Sequence, residues 1–331
     1  MSNPAAGLVS SFIGWLRRLL GGGEGERGVP APDRGGGRIA IEAIAPGDGP
    51  AWGTLSGLAA HPANPRRLFA CTDQDSPPAR ILEIDVSRTP ARVVRQIEIT
   101  VPGVHHLDIE GISAKRDGGF WLASEGGDYN DPPNLLLEVD AAGRLIRAVV
   151  LPAAIVGAVQ KKGLEGVAVV ERASGTRLYV AFQGPLADDP ADLTRIAEVD
   201  PASGTWRFWH YPLDETKDDG LTGLSEIAHL GGSRFAAIER DGKGGRKSIK
   251  WLTTFSLDEG GGAATGGTPP LLSKRVALDL VPLFLDRDMK VEKEIEGLTI
   301  AADGQVYVLN DNDGERPTLL LRLGNARDVF G

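Results

Sequence analysis

Cysteine occurs once in 331 residues, at Cys71, so no disulfide can form within the chain. That leaves the redox compartment open, because many exported proteins carry no disulfide. Nowhere does the chain run for the ~18 apolar residues that a membrane-spanning helix needs. Bases are outnumbered, 36 against 45 acids, and the formal charge is -9. Such a surface argues against a nucleic-acid partner, which is gripped through its phosphates. No G-x-S-x-G elbow offers an activated serine. The Gly clusters lack the strand-to-helix setting of a nucleotide loop. What the chain does have is 44 Gly and 22 Pro, which punctuate a globular, turn-rich sequence long enough to bury a sizeable core.

One local pattern returns five times. "DIEGISAKRDGGFWLASEGGD" begins at Asp108, and "GLEGVAVVERASGTRLYVAFQG" begins at Gly163. "LSEIAHLGGSRFAAIERD" begins at Leu224 and "EIEGLTIAADGQVYVLNDND" at Glu294, while "LSGLAAHPANPRRLFACTDQD" begins earlier, at Leu55. The leading positions are Ser56, Glu110, Glu165, Ser225 and Glu296, spaced 54, 55, 60 and 71 residues apart. Near-even recurrence is the mark of a repeat architecture.

Within each copy the apolar runs are four to six residues long, too short for helices, and Gly, Pro or Asp-Gly turns bound them. Two further strand candidates follow each copy but the last, such as "NLLLEVD" and "GRLIRAVVL" after the second. Each unit therefore holds four strands in about 50–60 residues, one blade of an all-β propeller. Five blades are expected, with six the alternative if one blade lacks the pattern. The last copy is one strand short, and "RIAIEAI" (Arg38–Ile44) has no place in the first blade. That segment is the natural closing strand, paired with Thr318–Leu323. The Gly-rich stretch Glu259–Pro270 is expected to be a surface loop.

In a propeller the start of a blade's first strand and the end of its second lie at the same face. Glu110, Glu165 and Glu296 would then meet Asp73, Glu125, Glu239 and Asp311 around one mouth of the central channel. Carboxylates held close repel and need a cation, shared protons or many donors. A hard divalent ion with oxygen ligands, most simply Ca²⁺, answers that need. Acids that only cap strands by accepting backbone N–H groups would give the same pattern. His106, Lys162 and Arg240 stand beside these acids in sequence. They are the candidates for proton transfer and for holding an anionic ester.

The segments "DIEGIS…DGGFWLASEG", "KGLEGVAV…LYVAFQG", "LSEIAHL…RFAAIERD" and "IEGLTI…VYVLNDND" resemble the phytase-like propellers, described as having the esterase-like activity of phytase. The resemblance covers roughly Ile39 to Leu323. It implies a β-propeller, often exported or periplasmic, that hydrolyses an ester. The Glu-Gly pair is also similar to the metal-binding positions of gluconolactonase-type propellers. Ser56 and Ser225 depart from an all-Glu pattern. The expected function is metal-dependent hydrolysis of a small-molecule phosphate or carboxylic ester. The alternatives are a lactonase-like hydrolase and a non-catalytic binding propeller.

The first 37 residues stand apart from the domain at 38–331. Leu8–Leu20 is amphipathic: Leu8, Phe12, Trp15, Leu16 and Leu19 fall on one side of a helix and Ser10, Ser11, Arg17 and Arg18 on the other. A short helix outside the propeller is expected, either a small docking element or a peripheral membrane contact through residues 8–20, with a poorly ordered tail the alternative. Its basic pair follows the apolar part, the wrong order for a secretory signal. Gly21–Gly37 reads as a flexible linker.

Overall fold

Runs of branched aliphatic and aromatic residues, bounded by turns, form 21 strands among the described residues of the computed structural model. The structure describes residues 39–45, 47, 53–73, 78–104, 107–126, 133–159, 163–216, 220–312 and 317–331. The expected helix at residues 8–20 and the linker after it lie outside the described residues.

The strands form five antiparallel sheets arranged as blades. The first blade is β2 (Leu58–Ala60), β3 (Arg67–Cys71), β4 (Arg80–Asp85) and β5 (Arg92–Glu98). The second is β6 (Asp108–Ala114), β7 (Phe120–Glu125), β8 (Leu135–Val139) and β9 (Leu145–Val150). The third holds β10 (Leu164–Arg172), β11 (Gly175–Phe182), β12 (Leu193–Asp200) and β13 (Thr205–Pro212). The fourth holds β14 (Gly223–Gly231), β15 (Arg234–Arg240), β16 (Lys250–Ser256) and β18 (Arg275–Asp279). The fifth joins β19 (Glu294–Ile300), β20 (Gln305–Asp311) and β21 (Leu319–Asn325) to β1 (Ala40–Ala43), from the other end of the chain. Ala40 pairs with Arg322 and Ala43 with Leu319, and the Ile44 amide donates to Thr318 O at 2.9 Å. The ring thus has five blades, closed as the missing strand of the last repeat requires.

In the second blade the middle strands are the most buried and the outer strand the least. β7 is buried over Phe120–Ser124, because neighbouring blades cover both its faces, whereas β9 is largely exposed. The cores lie between adjacent blades. Trp121 of the second blade packs with Phe182, Trp206 and Phe208 of the third. Tyr179 and Tyr211 of the third pack with Phe235 and Phe255 of the fourth.

The stretch Glu259–Pro270 is more than a surface loop. It carries β17 (Ala263–Ala264), which leaves the fourth blade and adds a fifth strand to the third, pairing Ala263 with Phe208 and Ala264 with Arg207. β13 is the outer strand of its blade and offers a free backbone edge. Glu259 is held there by an ion pair with Arg172, and Arg207 donates to Gly262 O at 3.2 Å. Among the described residues, short helices α1 (Ala153–Val156) and α2 (Val281–Leu285) occupy connections between strands, and α3 (Ala326–Phe330) follows β21.

Candidate metal centre

An extended strand turns alternate side chains to opposite faces, so an acid two residues before another shares its face. The leading residues escape that alternation through bulges. The register slips between Ile109 and Gly111, Leu164 and Val167, Leu224 and Glu226, and Ile295 and Gly297. The first strands of the second to fifth blades therefore each gain one residue beside their partner. A bulge leaves its extra residue outside the ladder and re-aims its side chain. Glu110, Ser225 and Glu296 are the extra residues in three blades. In the third, the slip falls at Glu165-Gly166.

The glycine after each leading acid has a packing reason. A Cβ on Gly111 would stand 2.5 Å from Glu165 O and 2.9 Å from Gly166 Cα, so adjacent first strands could not approach as they do.

Around the bulges the register creates a second set of positions. Asp108 faces Glu125, Glu294 faces Asp311, and Gly223 faces Arg240. In the first blade the hydroxyl of Thr54 donates to Asp73. One carboxylate oxygen from each of Asp108, Glu110 and Glu125 lies within 4.8 Å of the other two. The Ser56 hydroxyl is 2.5 Å from Glu110 Oε2 and 3.4 Å from Glu296 Oε2, so it stands between acids of two blades. Glu125 Oε1 accepts from the Gly163 amide at 2.6 Å. Glu165 is 2 % exposed.

These acids feel one another. Burial pushes the Glu110 carboxyl well above its usual range, and the negative charges of Glu165, Glu296, Asp108 and Glu125 push it further. Glu165 is raised by burial and by Glu125 and Glu296, against a lowering pull from Arg240. The three glutamates at the leading positions thus belong to one electrostatic cluster. Asp108 belongs to it too, although only its acid-x-acid spacing ("DIE", repeated in "EIE" at Glu294) could have drawn attention to it.

Arg240 sits in the place that an acid takes in the second and fifth blades. Its Nε donates to Ser225 Oγ at 2.8 Å and its guanidinium pairs with Glu296. Glu239, one residue earlier, is on the other face by alternation and turns toward the third blade. It accepts from Tyr211 Oη at 2.8 Å, Thr222 Oγ1 at 2.6 Å and the Asp214 amide at 2.9 Å, and it pairs with Lys274. The structure does not bring it to the cluster. Asp311 occupies the register position equivalent to Glu125, and Asp73 lies two residues beyond the end of β3, where it accepts from Thr54. His106 and Lys162 lie outside the described residues.

The donor set fits a hard divalent cation. It is all oxygen, largely carboxylate, and drawn from several rigid strands. Asp108, Glu110 and Glu125 are its tightest group, Glu165 and Glu296 act on it electrostatically together with Arg240, and a second buried base, Lys250, acts on Glu294 from the strand beside Arg240.

No curated protein matches the chain. Among solved structures, a gluconolactonase of Xanthomonas campestris is 12 % identical, with 82 % of this chain and 86 % of that one covered at a TM-score of 0.43. An oxidoreductase of Thermus thermophilus, described as a glucose dehydrogenase, is 13 % identical over 82 % and 83 %, at 0.42. A luciferin-regenerating enzyme is 11 % identical over 87 % and 81 %, also at 0.42. Likeness of this degree says nothing of activity. The phytase-like family model, described as esterase-like activity of phytase, matches residues 50–314. That span takes in every repeat described above, and the chain belongs to the phytase-like family.

Proposed function

We propose that this protein is a metal-dependent hydrolase of small-molecule esters, with Ca²⁺ held at the acidic mouth by Glu110, Glu165 and Glu296 together with Asp108 and Glu125. The observation that supports this reading is the gathering of those acids from separate blades around the bulges of the first strands, with Arg240 paired to Glu296 among them. Burying like charges side by side is costly unless something positive completes the set. A bound divalent ion would supply an acidified water and polarise the ester oxygen.

The chain's own residues orient that chemistry. Ser56 donates to Glu110 and fixes its carboxylate. Arg240 holds Glu296 and offsets part of the cluster's charge. His106, two residues before Asp108, is the proton shuttle, and Lys162, three before Glu165, meets charge on the leaving group. Arg240 is already engaged by Ser225 and Glu296, which favours an uncharged carboxylic ester over a phosphate ester. A panel of p-nitrophenyl acetate, butyrate and phosphate, assayed with and without chelator, tests the reading. Chelator-sensitive hydrolysis of the carboxylic esters is expected. Turnover that survives complete metal removal would overturn it.

The same cluster sets a pH dependence. Glu110 and Glu165 have carboxyls raised above their ordinary 4.5 in the folded state. Between 4.5 and the raised values the folded chain holds more protons than the unfolded chain, so stability falls as pH rises through that window. The metal-free protein is expected to melt at progressively lower temperature from pH 4.5 upward, and millimolar Ca²⁺ is expected to flatten the slope. A thermal melt series across pH, with and without Ca²⁺, checks this. A metal-free midpoint that rises with pH would contradict it.

A further inference from the structure

Four of the five blades carry glycine after the leading residue: Gly57, Gly111, Gly166 and Gly297. The fourth blade carries Glu226 instead. This side chain is 1 % exposed, and its carboxylate is tied to three blades. Its Oε1 accepts from its own blade, from the Ile227 amide at 3.0 Å. Its Oε2 accepts from Leu58 N at 3.3 Å, in the first blade. The Leu298 amide of the fifth blade is a third donor. In a ring of five, the fourth blade borders only the third and the fifth. A side chain that starts on the fourth and reaches the first must cross the axis.

It crosses where first strands approach one another closely. A Cβ on Gly166 would lie 2.5 Å from Glu226 Cα, and one on Gly57 would lie 2.9 Å from Gly111 Cα. First strands of neighbouring blades are therefore nearly in backbone contact here. On one side of this waist are the acids of the candidate metal centre. On the other is a cavity of about 330 Å³, lined by Ala60, Ile112, Ala168, Ala228, His229 and Thr299 among others. The amides that Glu226 engages belong to first strands, whose axial edge has no neighbouring strand to pair with. They would otherwise need water or an anion.

We propose that Glu226 is a septum across the central channel. Its carboxylate satisfies axial amides of three blades and separates the acidic mouth from the rear cavity. The mouth is then a closed cup, and whatever it binds enters and leaves by the same side. For the hydrolase reading this limits the length of the group that can point down the axis, and that part of the inference rests on the reading.

The test replaces Glu226 by the residue of the other four blades. In the Ca²⁺-loaded full chain, E226G is expected to exchange the Leu58 and Leu298 amide hydrogens on the order of tenfold faster than the wild type, as loss of a buried hydrogen bond implies. Sodium formate should restore protection in E226G, because a free carboxylate can reoccupy the amides, and should leave the wild type unchanged. E226A, which keeps the Cβ, serves the same purpose if the glycine variant does not fold. Unchanged exchange in both variants would overturn the septum, as would a formate effect equal in variant and wild type. A second arm compares p-nitrophenyl octanoate with acetate. The octanoate-to-acetate ratio of kcat/KM is expected to rise about tenfold in E226G, the factor that ~1.4 kcal/mol of regained chain binding gives. An unchanged ratio with accelerated exchange would refute the cup as a length limit. A wild type inactive on every ester would sink the hydrolase reading and leave the exchange result standing.

Discussion

Replacing Glu165 with glutamine is expected to weaken Ca²⁺ binding by at least about tenfold and to remove chelator-sensitive ester hydrolysis, with the fold intact. Glutamine keeps the shape of a side chain that is almost fully buried, so no cavity opens and no neighbour must move. What changes is charge. The negative charges of Glu125 and Glu296 add to burial in raising the cost of ionising Glu165, and a divalent ion recovers that cost only if Glu165 is charged when it binds. With one charge gone, the attraction for the ion drops and the repulsion in the metal-free protein drops as well. The metal-free E165Q protein should therefore melt at the same temperature as the wild type or higher. That combination separates lost ligation from lost structure. Calorimetric titration of Ca²⁺, Mg²⁺ and Mn²⁺ into chelator-treated protein measures the first part. Equal affinity in the two proteins would remove Glu165 from the proposed site.

Removing residues 1–45 is expected to cost on the order of 5 kcal/mol of stability, whereas removing residues 1–37 should leave the midpoint nearly unchanged. The first deletion takes β1 from β21, with its backbone bonds and the buried side chains of Ile41 and Ile44. Loss of a buried Ile side chain alone costs about 2–5 kcal/mol, and each lost hydrogen bond adds about 1 kcal/mol. Arg287 would also lose its bond to Ile39 O at 3.0 Å. The second deletion removes no copy of the repeat. Urea melts of the two shortened chains decide the matter. If both melt like the full chain, the closing strand is not what holds the ring together.

The architecture was legible because the strand count fell short by one in the last repeat and left one over at Arg38–Ile44. The leading acids were legible because they recur. Their bulges were not: a residue withdrawn from a ladder looks no different in sequence from one within it. For the same reason Glu239 read as a mouth residue, while alternation turns it to Tyr211 and Thr222 and gives the place to Arg240. The strand at Ala263–Ala264 was hidden because small residues between glycines form a strand only where a free edge, here β13, is waiting. Glu226 left a trace, the one break in a column of glycines. Its meaning depends on Leu58, which is 168 residues away in sequence.

The bulges have one more consequence. The residue that sits on a bulge makes no register pair, so its identity is decoupled from the ladder that holds its blade together. Four such places, with Ser56 at the matching position of the first blade, surround one axis, and two of the five hold serine where three hold glutamate. Each can be exchanged among Ser, Asp and Glu as a separate choice, with the sheets indifferent to the outcome. The mouth is in effect a socket with five interchangeable contacts, in which the number of negative charges can drift by single substitutions while the ring of blades stays the same.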